Sequence, residues 1–248
     1  MTILPGGRPP EPTRRSGAYL LVSSGGGVFP IGGGGAWGSR VDASDPTVGV
    51  IAGTRGHAVV RRTGAVERFG PEPPDVVRLG TGLGPVAVVR RLASGWWALH
   101  PGLARHVGSG RQVAVAADAV DLAGATDPLG VDGGGRLVDV DGAVLDDPGP
   151  LPGDLVGVVA DAAGSGWWLV AANGSIVARA GAEPVDPIEV GAYPHPLAAV
   201  GPADPAGLVV VTADGRTHAR LADHRGGLPR MPASGPIVAI SPVPRPAG

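Results

Sequence analysis

Two pairs of adjacent tryptophans are the residues best suited to ligand contact in this chain. They are Trp96–Trp97 and Trp167–Trp168, each at the start of an apolar run, and Trp37 is the fifth tryptophan. An exposed indole can stack on the flat face of a sugar ring, so the pairs suggest carbohydrate binding. Neighbouring side chains on a strand point to opposite faces, which favours packing between elements for these residues. All five are candidate ligand contacts, with packing as the preferred interpretation.

Other residue patterns that could support chemistry are weaker. Gly33, Gly35 and Gly38 match G-x-G-x-x-G, but phosphate binding by that motif needs a helix after the glycines, and none is predicted. Asp139 and Asp141 alternate and could offer oxygen ligands to calcium, yet the rest of a calcium loop is missing. We therefore prefer turn solvation for these aspartates. No catalytic residue, metal site or cofactor is predicted.

Arginine doublets occur at three places in the chain: Arg14–Arg15, Arg61–Arg62 and Arg90–Arg91. Arginine is enriched in protein interfaces and binds carboxylates in a bidentate manner. All 20 basic residues of the chain are arginines, however, so we expect ordinary solvated charge at these doublets. Carboxylates are also present, but a glycosidase needs a pair at a defined separation that a sequence cannot supply.

The composition excludes several functional classes. Cysteine is absent, which excludes disulfides, thiolate metal sites and a cysteine nucleophile. A net charge of −2 gives no electrostatic basis for binding nucleic acid or an anionic membrane. The apolar run of about 18 residues that a membrane-spanning helix needs is absent, and the N-terminus lacks the features of a secretion signal. We expect a cytoplasmic or particle-associated protein without membrane insertion.

An internal repeat supplies the elements that would position these residues. Its clearest copies are SGWWALHPGLARHVG, from Ser94, and SGWWLVAANGSIVARAG, from Ser165. The glycines that precede the apolar runs lie at intervals of 39, 39, 71 and 41 residues: Gly17, Gly56, Gly95, Gly166 and Gly207. The widest interval contains a degenerate copy near Pro128 and counts as two units. Six units of roughly 40 residues fill the chain, a period typical of four-stranded β-propeller blades.

The apolar runs predict strands and almost no helix, because they are short, β-rich and bounded by turn residues. The last run, at 237–240, has no partner downstream, while the first, at 19–22, lacks an inner neighbour. Pairing them would close the ring and remove two open edges. We predict an all-β, six-bladed β-propeller of four-stranded blades, closed by the C-terminal strand pairing into the first blade. Glycine and alanine in the innermost strands predict close packing and a channel wall poor in functional groups.

The propeller is predicted to span residues 17–242. A flexible Pro/Gly-rich arm at 1–16 would precede it, and a flexible tail at 243–248 would follow. If these ends are ordered, neighbours in a larger assembly would hold them.

A family resemblance supports the fold prediction. Residues 19–39, YLLVSSGGGVFPIGGGGAWGS, resemble the GYWLV-(A/S)SDGGVF-x-FGDA-x-FYGS repeats of actinobacterial proteins, and TVGVIAGTRG at 47–56 resembles the segment that follows in those repeats. This resemblance implies a β-propeller and carries no known catalytic residues. Residues 168–179 show a weaker similarity to tectonin-type lectin repeats, which implies glycans as a ligand class.

Three hypotheses for function follow from this sequence. The preferred one is a non-catalytic recognition or structural module that binds a protein partner within a larger assembly, such as a phage, virion or injection-system particle. The second is a lectin-like propeller for cell-surface glycans, which requires one tryptophan of each pair to be exposed. The third is a glycosidase or lyase, which requires carboxylates, histidine or arginine clustered at one mouth of the central channel.

Overall fold

The computed structural model describes residues 18–32, 37–80, 82–92, 94–124, 127–161, 166–189, 195–203, 205–222 and 224–244. The predicted arm at 1–16 and most of the predicted tail at 243–248 lie outside these ranges. Both boundaries therefore stay predictions, as does the idea that neighbours in a larger assembly hold the chain ends.

The described residues form twenty strands and no helix, which confirms the all-β prediction. Glycine and proline interrupt the apolar runs before a helix could extend over several turns. Consequently no helix in the described ranges is long and apolar enough to cross a membrane. In chain order the strands are β1 (Tyr19–Ser23), β2 (Val28–Ile31), β3 (Thr47–Ala52), β4 (Arg55–Arg61), β5 (Val66–Glu72), β6 (Val88–Leu92), β7 (Gly95–His100), β8 (Leu103–His106), β9 (Gln112–Ala114), β10 (Asp121–Ala123), β11 (Leu129–Val131), β12 (Leu137–Val138), β13 (Val144–Asp146), β14 (Leu155–Ala160), β15 (Trp167–Ala171), β16 (Ile176–Arg179), β17 (Leu197–Ala203), β18 (Pro205–Thr212), β19 (Thr217–Ala222) and β20 (Ile237–Pro242).

These strands form six antiparallel sheets, in the orders β20-β1-β2, β3-β4-β5, β6-β7-β8-β9, β10-β11-β12-β13, β14-β15-β16 and β17-β18-β19. Four strands are present in two sheets only, so the prediction of four strands in every blade does not hold within the described residues. Prolines follow β5, β16 and β19, where a fourth strand would lie. Proline has no amide hydrogen to donate to a strand ladder, which explains three of the four shorter sheets.

The last strand of the chain joins the first. β20 pairs antiparallel with β1, with Tyr19 opposite Pro242 and Leu21 opposite Ile240. β1 therefore lies between β2 and β20, and the N-terminal and C-terminal strands belong to one sheet, as the unpartnered runs predicted.

The sheets pack against one another through their first strands, counting β20 as the first of its sheet. These strands contact each other in the cyclic order β20, β3, β6, β10, β14, β17 and back to β20. Buried apolar clusters lie between successive sheets, and one of them joins Val22 of β1 to Val50 of β3. A Cβ atom on Gly201 of β17 would lie 2.7 Å from Cγ2 of Ile240 on β20, so glycine permits the close approach that was expected. The architecture is β-propeller-like.

Candidate functional site

A cavity of about 380 Å³ lies where the six first strands begin, and we call it the axial pocket. Each first strand contributes to its lining: Val48, Val88, Asp121, Val156, Ala198 and Val238. Arg62 and Arg90 also line it. Since all six sheets meet there, its shape depends on the whole molecule.

A β-bulge near the start of the first strand shapes the axial pocket in four sheets. The pairing register skips one residue in each of β3, β14, β17 and β20. The skipped residues all line the axial pocket: Val48, Val156, Ala198 and Val238. A bulge bends a strand and changes the direction of its side chains. β6 and β10 pair without this shift, and these two strands carry Arg90 and Asp121, two of the three charged residues that line the pocket in the described part of the chain.

An ion pair joins Arg90 of β6, whose side chain is 14% exposed, to the buried Asp121 of β10. The distances are 2.6 Å from Nε to Oδ1 and 2.7 Å from Nη2 to Oδ2, which is a bidentate geometry. Asp121 also accepts backbone amide hydrogens from Leu122 at 2.8 Å and from Val158 of β14 at 2.9 Å. Arg90 Nη1 lies 3.5 Å from the carbonyl oxygen of Val200 on β17. The pair thus connects the first strands of four sheets.

Gly157 of β14 leaves the space that this ion pair occupies. A Cβ atom there would lie 2.8 Å from Cγ1 of Val200 and 3.2 Å from Oδ2 of Asp121, and closer still to Nη2 of Arg90. The glycine-rich first strands predicted a channel wall poor in functional groups, and the Arg90–Asp121 pair is an exception within a lining of mostly apolar residues. At this position the missing side chain makes room for a charged pair.

The sequence contains one signal for this site. Arg90 and Asp121 each occur within an apolar run that was predicted to be a strand. A charged residue in a strand that must be buried needs a partner. Their pairing itself was not visible, because the two residues are 31 positions apart and belong to different sheets.

Arg61 is more deeply buried than Arg90, at 1% exposed. Its guanidinium donates a 2.7 Å hydrogen bond to the carbonyl oxygen of Arg40 and lies 3.1 Å from Oε2 of Glu67. The Arg61 side chain therefore links the connection between β2 and β3 to strand β4 through its hydrogen bond to Arg40. The expectation of solvated charge is wrong for Arg61 and for Arg90, whereas Arg62 is exposed.

Trp97 and Trp168 belong to the core, and each is 1% exposed. The indole nitrogen of Trp97 donates to Oγ of Ser94 at 3.0 Å, and that of Trp168 donates to the carbonyl oxygen of Glu183 at 2.8 Å. Both indole rings are buried and both indole N–H groups are hydrogen-bonded. Trp97 and Trp168 are therefore packing residues.

The other three candidate tryptophans are half-buried. Trp96 packs on the cluster between the β3–β5 and β6–β9 sheets, and Trp167 packs on the cluster between the β10–β13 and β14–β16 sheets. Each pair therefore presents its two rings to different neighbouring sheets, as strand alternation predicts. The Trp37 ring centroid lies 6.1 Å from that of His57. None of the five tryptophans lines the axial pocket, and ligand contact by them stays a prediction.

The glycine and aspartate motifs do not form a site in the described residues. Gly33 and Gly35 lie outside the described ranges. Asp139 Oδ1 accepts the backbone amide hydrogens of Asp141 at 2.9 Å and of Ala143 at 2.8 Å, which is a local turn. Across the described ranges, no group of three histidine, aspartate or glutamate side chains is placed to hold a metal ion.

Two fully buried histidines lie away from the axial pocket. His57 stacks on Phe69 with ring centroids 5.1 Å apart, and His100 Nδ1 lies 3.2 Å from the carbonyl oxygen of Gly84. Desolvation lowers the pKa of both imidazoles below the ordinary value, and the nearby backbone carbonyl groups oppose this only in part. Both side chains are therefore neutral parts of the core at neutral pH.

Comparisons with known proteins identify the fold and no family. Neither a protein-family model nor a curated protein matches the chain. The chain is similar to a solved structure of a nidogen/laminin complex, with a TM-score of 0.58, 12% identity and coverage of 92% of this chain and 98% of that one. It is also similar to a protein of unknown function from Bacteroides caccae, with a TM-score of 0.64, 14% identity and coverage of 93% and 100%. At such identities the similarity concerns fold alone, and the fold is all-β and β-propeller-like.

Proposed function

We propose that this chain is a six-bladed β-propeller, closed by β20, that acts as a non-catalytic recognition or structural module and binds a protein partner. The cyclic contact order of the first strands and the β20–β1 pairing support closure. Charged groups of the described core, such as Arg61 and Asp121, have all their strong interactions within the fold. This favours a structural role for them over a catalytic one.

The observation that carries partner binding is an apolar outer edge on the fourth sheet. Val140, Val144 and Leu145 are 53%, 48% and 54% exposed, and they lie within six consecutive residues. β13 is the last strand of its sheet and has no neighbour beyond it in the described residues. Clustered exposed apolar side chains at an unpaired edge are typical of a contact surface. We call residues 140–145 the β13 edge.

Charge around the β13 edge defines the partner's chemistry. Residues 139–147 contain four aspartates and no arginine. Asp146 is paired with Arg179, whereas Asp141 and Asp147 are exposed. The complementary surface is therefore a protein patch with an apolar centre bordered by lysine or arginine. On the repeat resemblance, the assembly would be an actinobacterial or actinophage particle such as a virion or injection system.

The test is a native pull-down of tagged chain from its producing cells, with partners identified by mass spectrometry and contacts mapped by cross-linking. We expect a stoichiometric protein partner whose cross-links fall on the β13 edge. The double substitution Val144→Ser and Leu145→Ser should abolish recovery of that partner. Val41→Ser is the matched control, since Val41 is a 61% exposed valine on another sheet connection. Recovery of the chain alone, or equal loss with both variants, would contradict the proposal.

A lectin-like function is the second candidate. The observation in its favour is that Trp96 and Trp167 keep part of their surface accessible while their neighbours Trp97 and Trp168 are buried. Glycan-array binding that Trp96→Leu and Trp167→Leu weaken, with the melting temperature preserved, would support this function over protein binding.

A further inference from the structure

From the axial pocket we infer a second binding site, for a ligand that carries a carboxylate on a short apolar stem. This inference does not depend on partner binding at the β13 edge. The volume of the axial pocket, about 380 Å³, lies in the range of small-molecule sites, roughly 300–1,000 Å³. All six first strands line it, so every sheet contributes to its shape.

The charged pair in the pocket offers hydrogen-bond donors rather than acceptors. Both oxygens of Asp121 are used twice, by Arg90 and by the amides of Leu122 and Val158. Asp121 is only 4% exposed and cannot readily accept more. A guanidinium has five N–H groups, of which Asp121 takes two, while Nη1 has only the 3.5 Å contact to Val200. A ligand that reaches Arg90 must therefore supply acceptor atoms.

Arg62 makes the pocket cationic. It is exposed, it lines the same cavity, and no carboxylate of the described residues pairs with it. Asp121 neutralises one of the two lining arginines, so one positive charge remains. A carboxylate satisfies both requirements, because it is an anion and its two oxygens match a guanidinium edge.

The remaining lining selects for an apolar stem behind the carboxylate. Val48, Val88, Val156 and Val238 surround the cavity together with Ala198. Burial of a short aliphatic chain against them is favourable because it removes apolar surface from water. Such a ligand is either a free short-chain carboxylic acid or the C-terminal residue of a peptide with an aliphatic side chain.

Isothermal titration calorimetry of the full chain at low ionic strength tests this site. The probes are hexanoate with hexanamide as its neutral match, and N-acetyl-Ala-Leu with its C-terminal amide. We expect at least one carboxylate to bind about tenfold or more tightly than its amide, because the charge-assisted hydrogen bonds are lost. Binding of hexanoate alone identifies a free acid as the source, and binding of the peptide alone identifies a chain terminus. No binding, or equal affinity for acid and amide, would overturn the inference.

Variants locate the binding in the axial pocket without disturbing the core. Arg62→Gln should raise the dissociation constant up to about fivefold, the contribution of an exposed charge pair. Arg78→Gln is the matched control, because Arg78 is exposed and lies outside the pocket. Ala198→Leu places a bulkier side chain in the cavity and should weaken binding about tenfold or more, with thermal unfolding as the check on folding. Equal effects of Arg62→Gln and Arg78→Gln, or full affinity in a folded Ala198→Leu variant, would contradict the inference.

Discussion

Single residues in this protein have roles that their local sequence does not reveal. Arg61 and Arg62 are neighbours, yet one is buried in a network of carbonyl groups and the other is exposed at the axial pocket. Alternation along the strand end separates them. The same rule divides the Trp96–Trp97 pair between two clusters.

Removing Asp121 should be strongly destabilising. Asp121→Ala leaves the largely buried Arg90 without its counter-ion, which costs about 3 kcal/mol in the free energy of unfolding, the lower end of the range for buried pairs, because 14% of the Arg90 side chain is exposed. Urea unfolding measures it, with Asp75→Ala as control, since the Asp75 side chain is 97% exposed and its loss should cost less than about 0.5 kcal/mol. Replacing both partners, with Arg90→Met and Asp121→Leu, should recover only part of the loss, because the amides of Leu122 and Val158 would still lack their acceptor. Equal stability of the Asp121→Ala and Asp75→Ala variants would show that the pair does not stabilise the fold.

Stability should fall as the pH falls below about 6.5. Burial lowers the pKa of His57 and His100 from the value of 6.5 that we take for the unfolded chain. The unfolded state therefore binds protons first, and the stability present above pH 6.5 is lost towards the lower pKa of the folded state. Urea unfolding between pH 8 and pH 5 measures this, and His57→Phe should reduce the slope. A free energy of unfolding that stays constant over this range would contradict the prediction.

At the scale of the element, one glycine on a first strand controls the ion pair. Gly157→Ala would place a methyl group against Arg90 and 2.8 Å from Cγ1 of Val200. We expect a loss of about 1–3 kcal/mol in the free energy of unfolding, which is typical of overpacking. Gly133→Ala is the matched control, because a Cβ there would meet nothing within 4 Å. The melting temperatures of the two variants are compared. A Gly157→Ala variant as stable as the control would show that the Arg90 guanidinium can move aside.

For the whole molecule, β20 is the element whose loss should matter most. A chain ending at residue 234 lacks Ile237 and Ile240, which pack between the β17–β19 sheet and β1. It also removes the contacts that β20 makes with β1, β3 and β17. We expect loss of the cooperative thermal transition and aggregation in size-exclusion chromatography, whereas a chain ending at residue 244 should behave as the full chain does. A cooperative, monomeric 1–234 fragment would contradict closure by β20.

The strands and their repeat were predictable because they depend on local patterns. Short apolar runs bounded by glycine and proline predicted strands, and the unpartnered runs at both ends predicted the pairing of β20 with β1. Strand number per sheet was less predictable, since a fourth strand depends on a few prolines after the third. The axial pocket was not predicted. The five tryptophans predicted as candidate ligand contacts lie outside it.

The amino-acid sequence alone was sufficient to predict an all-β chain of six repeated units, because hydrophobic periodicity and turn residues act within a few positions of one another. The pairing of Arg90 with Asp121 and the convergence of four bulged residues on one cavity required the folded molecule. Both depend on strand register, and shifting the register by one residue moves a side chain to the other face of its sheet. Only the packing of six sheets against one another brings these side chains to a common site.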